Sequence, residues 1–208
     1  MNRKFSATLA VFALLAASST AYPAVAGIYD GTAQLFKCNS TSNVAFRQST
    51  SKDTQFDYGR TNKVADVATN SSGGTCGVEY RFDGLLFDDQ DVIWFYSLPR
   101  NSAAFNNLTV KYIFKTTGGG QKIEYTIKAG TDATVKPVHN NWNYLTQKNS
   151  SFPSNVRNTQ AFLQRVQFIF DNKVSSTITL GDLRLQSRSS SSSSATISDL
   201  DLELKGCP

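Results

Sequence analysis

Residues 108–128, with the sequence LTVKYIFKTTGGGQKIEYTIK, contain two alternating runs of apolar and polar residues on either side of Gly118-Gly119-Gly120. Side chains of a β-strand point alternately to opposite faces, so each run predicts a strand with one apolar and one polar face. Three glycines between two such runs predict a β-hairpin. The pair indicates an antiparallel sheet that covers a core on one side only.

The same signal recurs along the chain. Residues 166–171 (VQFIFD) and 200–205 (LDLELK) alternate, whereas residues 92–96 (VIWFY) are apolar throughout. We interpret this apolar run as a central strand buried on both faces, with Trp94 in the core. Many short strands separated by turns predict an all-β fold, an antiparallel β-sandwich of the jelly-roll type. The serine-rich stretch at 188–194 is expected to be a flexible loop, followed by a C-terminal strand at 195–206.

The composition of the 208 residues is that of a folded protein. Hydrophobic residues make up 40% of the chain and aromatic residues 12%, which excludes a disordered chain. The net charge of +5 at pH 7 comes without a basic block, which argues against a nucleic-acid partner. One histidine and three cysteines leave little material for a transition-metal centre.

The first 26 residues have the pattern of a secretory signal peptide. Arg3 and Lys4 precede an apolar run at 9–17, and Ala24-Val25-Ala26 resembles a cleavage site. Neither this run nor any later segment reaches the roughly 20 apolar residues that span a bilayer. We therefore expect residues 27–208 to be a single secreted β-sandwich domain without a membrane span, of unknown oligomeric state.

Secretion makes disulfides and glycans chemically plausible. We predict a disulfide between Cys38 and Cys76, with Cys38–Cys207 as the alternative, because the sequence alone does not determine the pairing. Four Asn-X-Ser/Thr tripeptides are acceptor sites for N-linked glycans, and in a eukaryotic source they predict a glycoprotein; they begin at Asn39, Asn70, Asn107 and Asn149.

The order of the segments is familiar as well. A strand at 77–82 (GVEYRF) is followed by an acidic turn leading into an aromatic strand, FDDQDVIWF at 87–95. A tryptophan then opens a later strand, WNYL at 142–145, and an aspartate lies in the last one, TITLGDLRL at 177–185. This order resembles the galactose-binding-like β-sandwich of many carbohydrate-binding modules, and the resemblance covers residues 27–187.

The resemblance implies a sugar-binding module with no chemistry of its own. In such modules the segments that correspond to Asp30 and Asp182 meet near a structural calcium, which makes these two residues candidate metal ligands. Gly181 stands where the modules often carry a second aspartate, and this departure weakens the case for calcium. The resemblance implies no other cofactor.

Sugar recognition requires a flat aromatic surface and polar side chains that hydrogen-bond hydroxyl groups. Trp142 and Tyr144 share one face of their strand and are the candidate platform; the alternative is that both fill the core. The polar faces of the alternating strands supply the candidate hydrogen-bonding groups, and the alternative for them is an ordinary solvated surface. These groups are Lys111, Glu124, Lys128 and Gln167.

We therefore predict a secreted, non-catalytic protein whose partner is a polysaccharide or glycan. One alternative is a polysaccharide-cleaving enzyme of jelly-roll type, either a lyase that uses His139 as a base beside Tyr144, or a glycoside hydrolase. No two of the three glutamates are marked as a catalytic pair. Another alternative is an extracellular coat or adhesion protein that binds other proteins.

Overall fold

The computed structural model describes residues 32–48, 63–87, 90–98, 103–117, 120–132, 142–157, 161–187 and 192–195. Strands dominate these residues, and their bounds in chain order are β1 (Thr32–Cys38), β2 (Asn43–Gln48), β3 (Lys63–Thr69), β4 (Thr75–Phe87), β5 (Gln90–Ser97), β6 (Leu108–Thr116), β7 (Lys122–Lys128), β8 (Trp142–Gln147), β9 (Ala161–Asp171), β10 (Ser176–Ser187) and β11 (Ser192–Ala195). The helical elements lie in the connections and are α1 (Ala103–Asn106), α2 (Ala129–Asp132), a 3₁₀ turn (Asn149–Ser151) and α3 (Ser154–Arg157). Among the described residues, none of these helices has the length and apolarity that a membrane crossing needs.

The strands form two antiparallel sheets. Sheet A has the order β1-β4-β9-β6-β7, and sheet B has the order β2-β3-β10-β5-β8, with β11 paired to β10. The predicted hairpin is present, since β6 and β7 pair from Lys115 opposite Lys122 to Thr109 opposite Lys128. Side chains from both sheets share one hydrophobic core. The predicted all-β antiparallel sandwich is confirmed.

The core is built from the apolar face of each strand. On β6, the buried residues Val110, Tyr112 and Phe114 alternate with the partly exposed Lys111 and Thr109. Trp94 of sheet B is 1% exposed, and its ring centroid lies 5.2 Å from that of Phe168 in sheet A. The two sheets thus interlock through large aromatic side chains, which bury much apolar surface per residue. The prediction that Trp94 lies in the core is confirmed.

Two expectations about individual strands differ from the structure. Strand β5 is fully buried on one face only, because Ile93 and Phe95 on its outer face are partly exposed. The serine-rich stretch was expected to be a loop, but Ser192–Ala195 forms β11 and pairs with residues 183–186 of β10. Strand pairing uses backbone groups, so a serine run can join a sheet despite its lack of apolar side chains. The signal segment and the C-terminal residues 196–206 lie outside the described residues.

The predicted Cys38–Cys76 disulfide is wrong, because Cys76 is a buried free thiol. Cys76 pairs with Lys37 and Cys38 pairs with Thr75 across β1 and β4. Consecutive side chains alternate between faces, so Cys76 enters the core while Cys38 points to the outer face of sheet A. Two cysteines on opposite faces of a sheet cannot be bridged. Cys38 is disulfide-bonded, and Cys207, the third cysteine of the chain, lies outside the described residues.

We expect a thiol titration of the unfolded, unreduced protein to find one free thiol per chain, that of Cys76. In the native protein this thiol should react slowly with iodoacetamide, because burial raises its pKa and so disfavours the reactive thiolate. Peptide mapping without reductant should link Cys38 to Cys207, the remaining cysteine. A Cys76→Ser variant should keep that link and lose the free thiol. A linked Cys38–Cys76 peptide would contradict the assignment.

Candidate functional site

The structure divides the six candidate sugar-binding residues between two faces of the sandwich. Trp142 and Tyr144 lie on β8 of sheet B. Both point outward, because Leu145, the residue after Tyr144, enters the core and side chains alternate along a strand. The other four lie on the outer face of sheet A, alternating along β6, β7 and β9 with residues that pack in the core; these are Lys111, Glu124, Lys128 and Gln167. A single site cannot include both groups, because the whole core separates them.

The polar groups on sheet A mostly bind one another. Glu124 pairs with Lys122 through an Nζ–Oε1 distance of 2.5 Å and with Lys111 through an Nζ–Oε2 distance of 3.7 Å. The hydrogen bond from Lys122, helped by the charge of Lys111, holds the pKa of the Glu124 carboxyl below its usual value. Exposed ion pairs of this kind contribute little to stability. Along β7, this face has the character of a solvated sheet surface.

Gln167 belongs to a buried polar network that the sequence did not reveal. It is 2% exposed, and its Nε2 donates to Glu79 Oε2 at 2.6 Å. The other Glu79 oxygen accepts from Arg81 Nε at 2.5 Å, and Arg165 lies 3.7 Å from the carboxylate. A buried carboxylate needs such partners, because an unpaired one carries a large desolvation cost. The network supplies those partners to the Glu79 carboxylate, and its burial closes Gln167 to a polysaccharide.

The aromatic side chains on sheet B form an exposed patch. Tyr144 is 60% exposed, and its ring centroid lies 6.3 Å from that of Phe95, the residue opposite it in the β5–β8 pairing. Trp142 lies two residues earlier on the same face and is partly exposed. We call Phe95, Trp142 and Tyr144 the aromatic face. Trp142 and Tyr144 were predicted from the sequence. Phe95 was not, because it lies in the unbroken apolar run 92–96, which was interpreted as buried on both faces.

Gly181 leaves space for the Trp142 side chain beside β10. The pairing of β10 with β5 is irregular between Leu180 and Leu183, and Gly181 lies within that irregularity. A Cβ atom at position 181 would stand 3.1 Å from Trp142 Cζ3 and 3.4 Å from Phe95 Cβ. The missing side chain therefore leaves room for the indole beside β10. Gly181, which stands where carbohydrate-binding modules often carry an aspartate, thus has a packing role in this chain.

A row of polar side chains extends from the aromatic face across the outer surface of sheet B. Trp142 pairs with Ser97, Ser97 with Thr179, and Thr179 with Asp66, so one row crosses four strands. Neighbouring strands lie about 4.8 Å apart, which makes the row roughly 14 Å long. At its far end Asp66 accepts hydrogen bonds from Thr179 Oγ1 at 2.7 Å and from Arg47 Nε at 2.6 Å. The Arg47 and Asp66 side chains remain more than one-third exposed.

The candidate metal and catalytic residues remain predictions. Asp30 and His139 lie outside the described residues, and of Asp182 only the place in β10 is described. Within the described ranges, no group of three or more His, Cys, Asp or Glu side chains is arranged to hold a metal ion. Asp91, at the start of β5, accepts a hydrogen bond from the backbone N of Asn149 at 2.7 Å. This contact gives that carboxylate a structural role.

Comparison with known proteins yields only remote structural likenesses. No protein-family model and no curated protein matches the chain. A family 11 carbohydrate-binding module from Clostridium thermocellum, solved with a β-1,3-1,4-mixed-linked tetrasaccharide, is 13% identical, with a TM-score of 0.43 over 77% of this chain and 91% of the module. The enzymatically active domain of bacteriophage CBA120 tailspike protein 4 is 11% identical, with a TM-score of 0.42 over 74% of this chain and 19% of that one. A family 22 xylan-binding domain is 12% identical, with a TM-score of 0.36 over 74% of this chain and 84% of the domain.

Carbohydrate-binding modules are thus among the similar structures. At these identities and TM-scores the likeness carries no inference about what this chain binds. The functional argument rests on the side chains of sheet B.

Proposed function

We propose that the protein is a secreted, non-catalytic carbohydrate-binding protein that holds a polysaccharide on the aromatic face of sheet B. The exposure of Tyr144 carries the proposal. Among the described residues, Tyr144 at 60% and Val174 at 37% are the large hydrophobic side chains that count as exposed, and only Tyr144 adjoins other aromatic rings. A grouped apolar patch on a surface is typical of a binding site.

The chemistry of the patch suits a sugar ring. One face of a pyranose presents C–H groups, and an aromatic ring offers them a flat surface of complementary polarity. Hydroxyl groups at the edge of the sugar need donors and acceptors, which Ser97, Thr179 and Asp66 provide in the row that begins at Trp142. A long ligand could contact the rings and this row together.

The charge of this surface favours a neutral polysaccharide. Asp66 is the acidic side chain of the row, and Arg47 pairs with it at 2.6 Å. The pair leaves the row without a net charge, so the row offers no net electrostatic attraction to an anionic polysaccharide. The export signal proposed for residues 1–26 would place this surface outside the cell.

Affinity electrophoresis and pull-down with a defined panel test the proposal. The panel contains cellulose, xylan, mixed-linkage β-glucan, mannan and starch, with polygalacturonate as the acidic comparison. We expect retention on at least one neutral polysaccharide, without release of reducing sugar or unsaturated uronate. If the protein binds no member of the panel, the binding function is refuted. Release of product would instead favour the enzyme alternative.

We expect Tyr144→Ala to weaken binding to the retained polysaccharide about tenfold, equivalent to ~1.4 kcal/mol, because it removes an exposed ring but no core contact. Val174→Ala is the matched control, since it also shortens an exposed apolar side chain but lies in the turn between β9 and β10. Isothermal titration with a soluble oligosaccharide of the same linkage measures both. Equal affinity in the two variants would remove Tyr144 from the site.

A further inference from the structure

The four Asn-X-Ser/Thr tripeptides all lie among the described residues, and their asparagines differ sharply in surroundings. A glycan is bulky and hydrophilic and must project from the surface of the folded protein. Its attachment uses the side-chain Nδ2 atom of the asparagine, so that atom needs open space. We infer that Asn39 is the one sequon of this protein that carries an N-linked glycan in the folded state when the chain passes through a eukaryotic secretory pathway.

Asn39 meets the requirement. It follows β1, is exposed, and adopts a φ of 50°, which places it in a turn. Its backbone lies against Gly74, where an added Cβ would come within 2.2 Å of the Asn39 carbonyl oxygen. The backbone is therefore fixed, while the side chain makes no hydrogen bond within the described part of the chain. This combination presents the amide to solvent on a rigid support.

Asn70 is in the same corner of the molecule, but both of its side-chain polar atoms are hydrogen-bonded. Its Nδ2 donates to Thr41 Oγ1 at 2.8 Å, and its Oδ1 accepts from the backbone N of Ser72 at 3.0 Å. The Ser72 hydroxyl, which completes this sequon, also binds the Asn70 Oδ1 atom. A glycan on the Asn70 Nδ2 atom would crowd the Thr41 side chain that this atom binds.

Asn107 is engaged in hydrogen bonds, and Asn149 is buried. Asn107 Nδ2 donates to the Ala103 carbonyl at 2.9 Å, and its backbone carbonyl accepts from Asp171 N at 3.1 Å. Asn149 is 8% exposed and begins the 3₁₀ turn that Asp91 holds through the Asn149 backbone N. A sugar attached to a side chain this buried is incompatible with the native packing.

The glycan would lie far from the aromatic face. Asn39 lies beside β1 and β2 at one edge of the sandwich, whereas Trp142 and Tyr144 lie on β8 at the opposite edge of sheet B. Modification of Asn39 should therefore leave polysaccharide binding unchanged. The inference is independent of that function, because it depends only on the environments of the four asparagines.

The experiment expresses the full chain in a secreting eukaryotic cell, with a host export signal if residues 1–26 are not used. The secreted, folded protein is treated with an amidase that converts each glycosylated asparagine to aspartate in ¹⁸O water, and its peptides are mapped by mass spectrometry. We expect the label at Asn39 and none at the other three sites. Asn39→Gln should abolish the glycan mass, whereas Asn70→Gln should leave it.

Either of two results would overturn the inference. One is a glycan at Asn70, Asn107 or Asn149 in protein that unfolds cooperatively like the unglycosylated form. The other is an unmodified Asn39 in secreted protein. A thermal melt of Asn39→Gln accompanies the mapping, and we expect a slightly lowered midpoint, because the side chain is exposed but glutamine tolerates the positive φ less well than asparagine.

Discussion

Replacing Phe152 with alanine is expected to lower the free energy of unfolding by about 3–5 kcal/mol, the range for removal of a fully buried phenylalanine. The side chain is 1% exposed. Its ring centroid lies between 5.0 and 5.5 Å from four other aromatic rings, those of Phe87, Tyr112, Phe114 and Tyr125. Phe152 lies in the connection between β8 of sheet B and β9 of sheet A. Its side chain therefore anchors this connection by packing against the core face of sheet A.

Chemical denaturation monitored by fluorescence measures the change. Phe152→Leu is the matched control, because it keeps most of the apolar volume and should cost less than about 1.5 kcal/mol. The alanine variant should keep the denaturant dependence of the parent if both unfold in one step. A loss below 1 kcal/mol would show that the connection does not depend on this ring.

Local alternation made much of the fold predictable. Strands β6 and β7 have one apolar and one polar face, and a pattern of period two specifies which side of a sheet each residue occupies. Trp94 was placed in the core correctly, because large aromatic residues in an apolar run are usually buried. These features depend on neighbours in sequence, which the chain displays directly.

The arrangement of strands was not predictable in the same way. Glu79 and Gln167 are 88 positions apart and become hydrogen-bonded neighbours only because β4 pairs with β9. No local pattern encodes that pairing, so the buried polar network was missed. The error at Cys38 and Cys76 has the same origin, since the register of β1 and β4 determines that the two side chains point to opposite faces.

The candidate site shows both outcomes. Trp142 and Tyr144 are two residues apart on one strand, and their shared face followed from the sequence. Their separation from Lys111, Glu124, Lys128 and Gln167 follows from sheet membership, which the sequence did not determine. Phe95 was missed because an apolar run buried on one face resembles one buried on both.

Replacing Trp142 with alanine is expected to weaken binding to the retained neutral polysaccharide about 100-fold, or ~2.7 kcal/mol. We expect a larger effect than at Tyr144 because the indole is the larger ring, lies beside Gly181, and stands at the start of the polar row, opposite Ser97. Loss of this ring removes the broadest flat surface of the aromatic face and the support beside Phe95. Trp142→Phe should restore part of the affinity, because a smaller ring still offers a stacking surface.

Gly181→Val tests the position of the indole while keeping Trp142 itself unchanged. A Cβ atom at this position would already stand 3.1 Å from Trp142 Cζ3, so a branched side chain must displace the ring from the sheet. We expect weakened binding with Trp142 still present, measured by titration alongside tryptophan fluorescence.

The chain has two tryptophans, and Trp94 is buried, so a ligand-induced fluorescence change should persist in Trp94→Phe and vanish in Trp142→Phe. Parental affinity in both Trp142→Ala and Gly181→Val, with native melting, would place the polysaccharide elsewhere on the molecule.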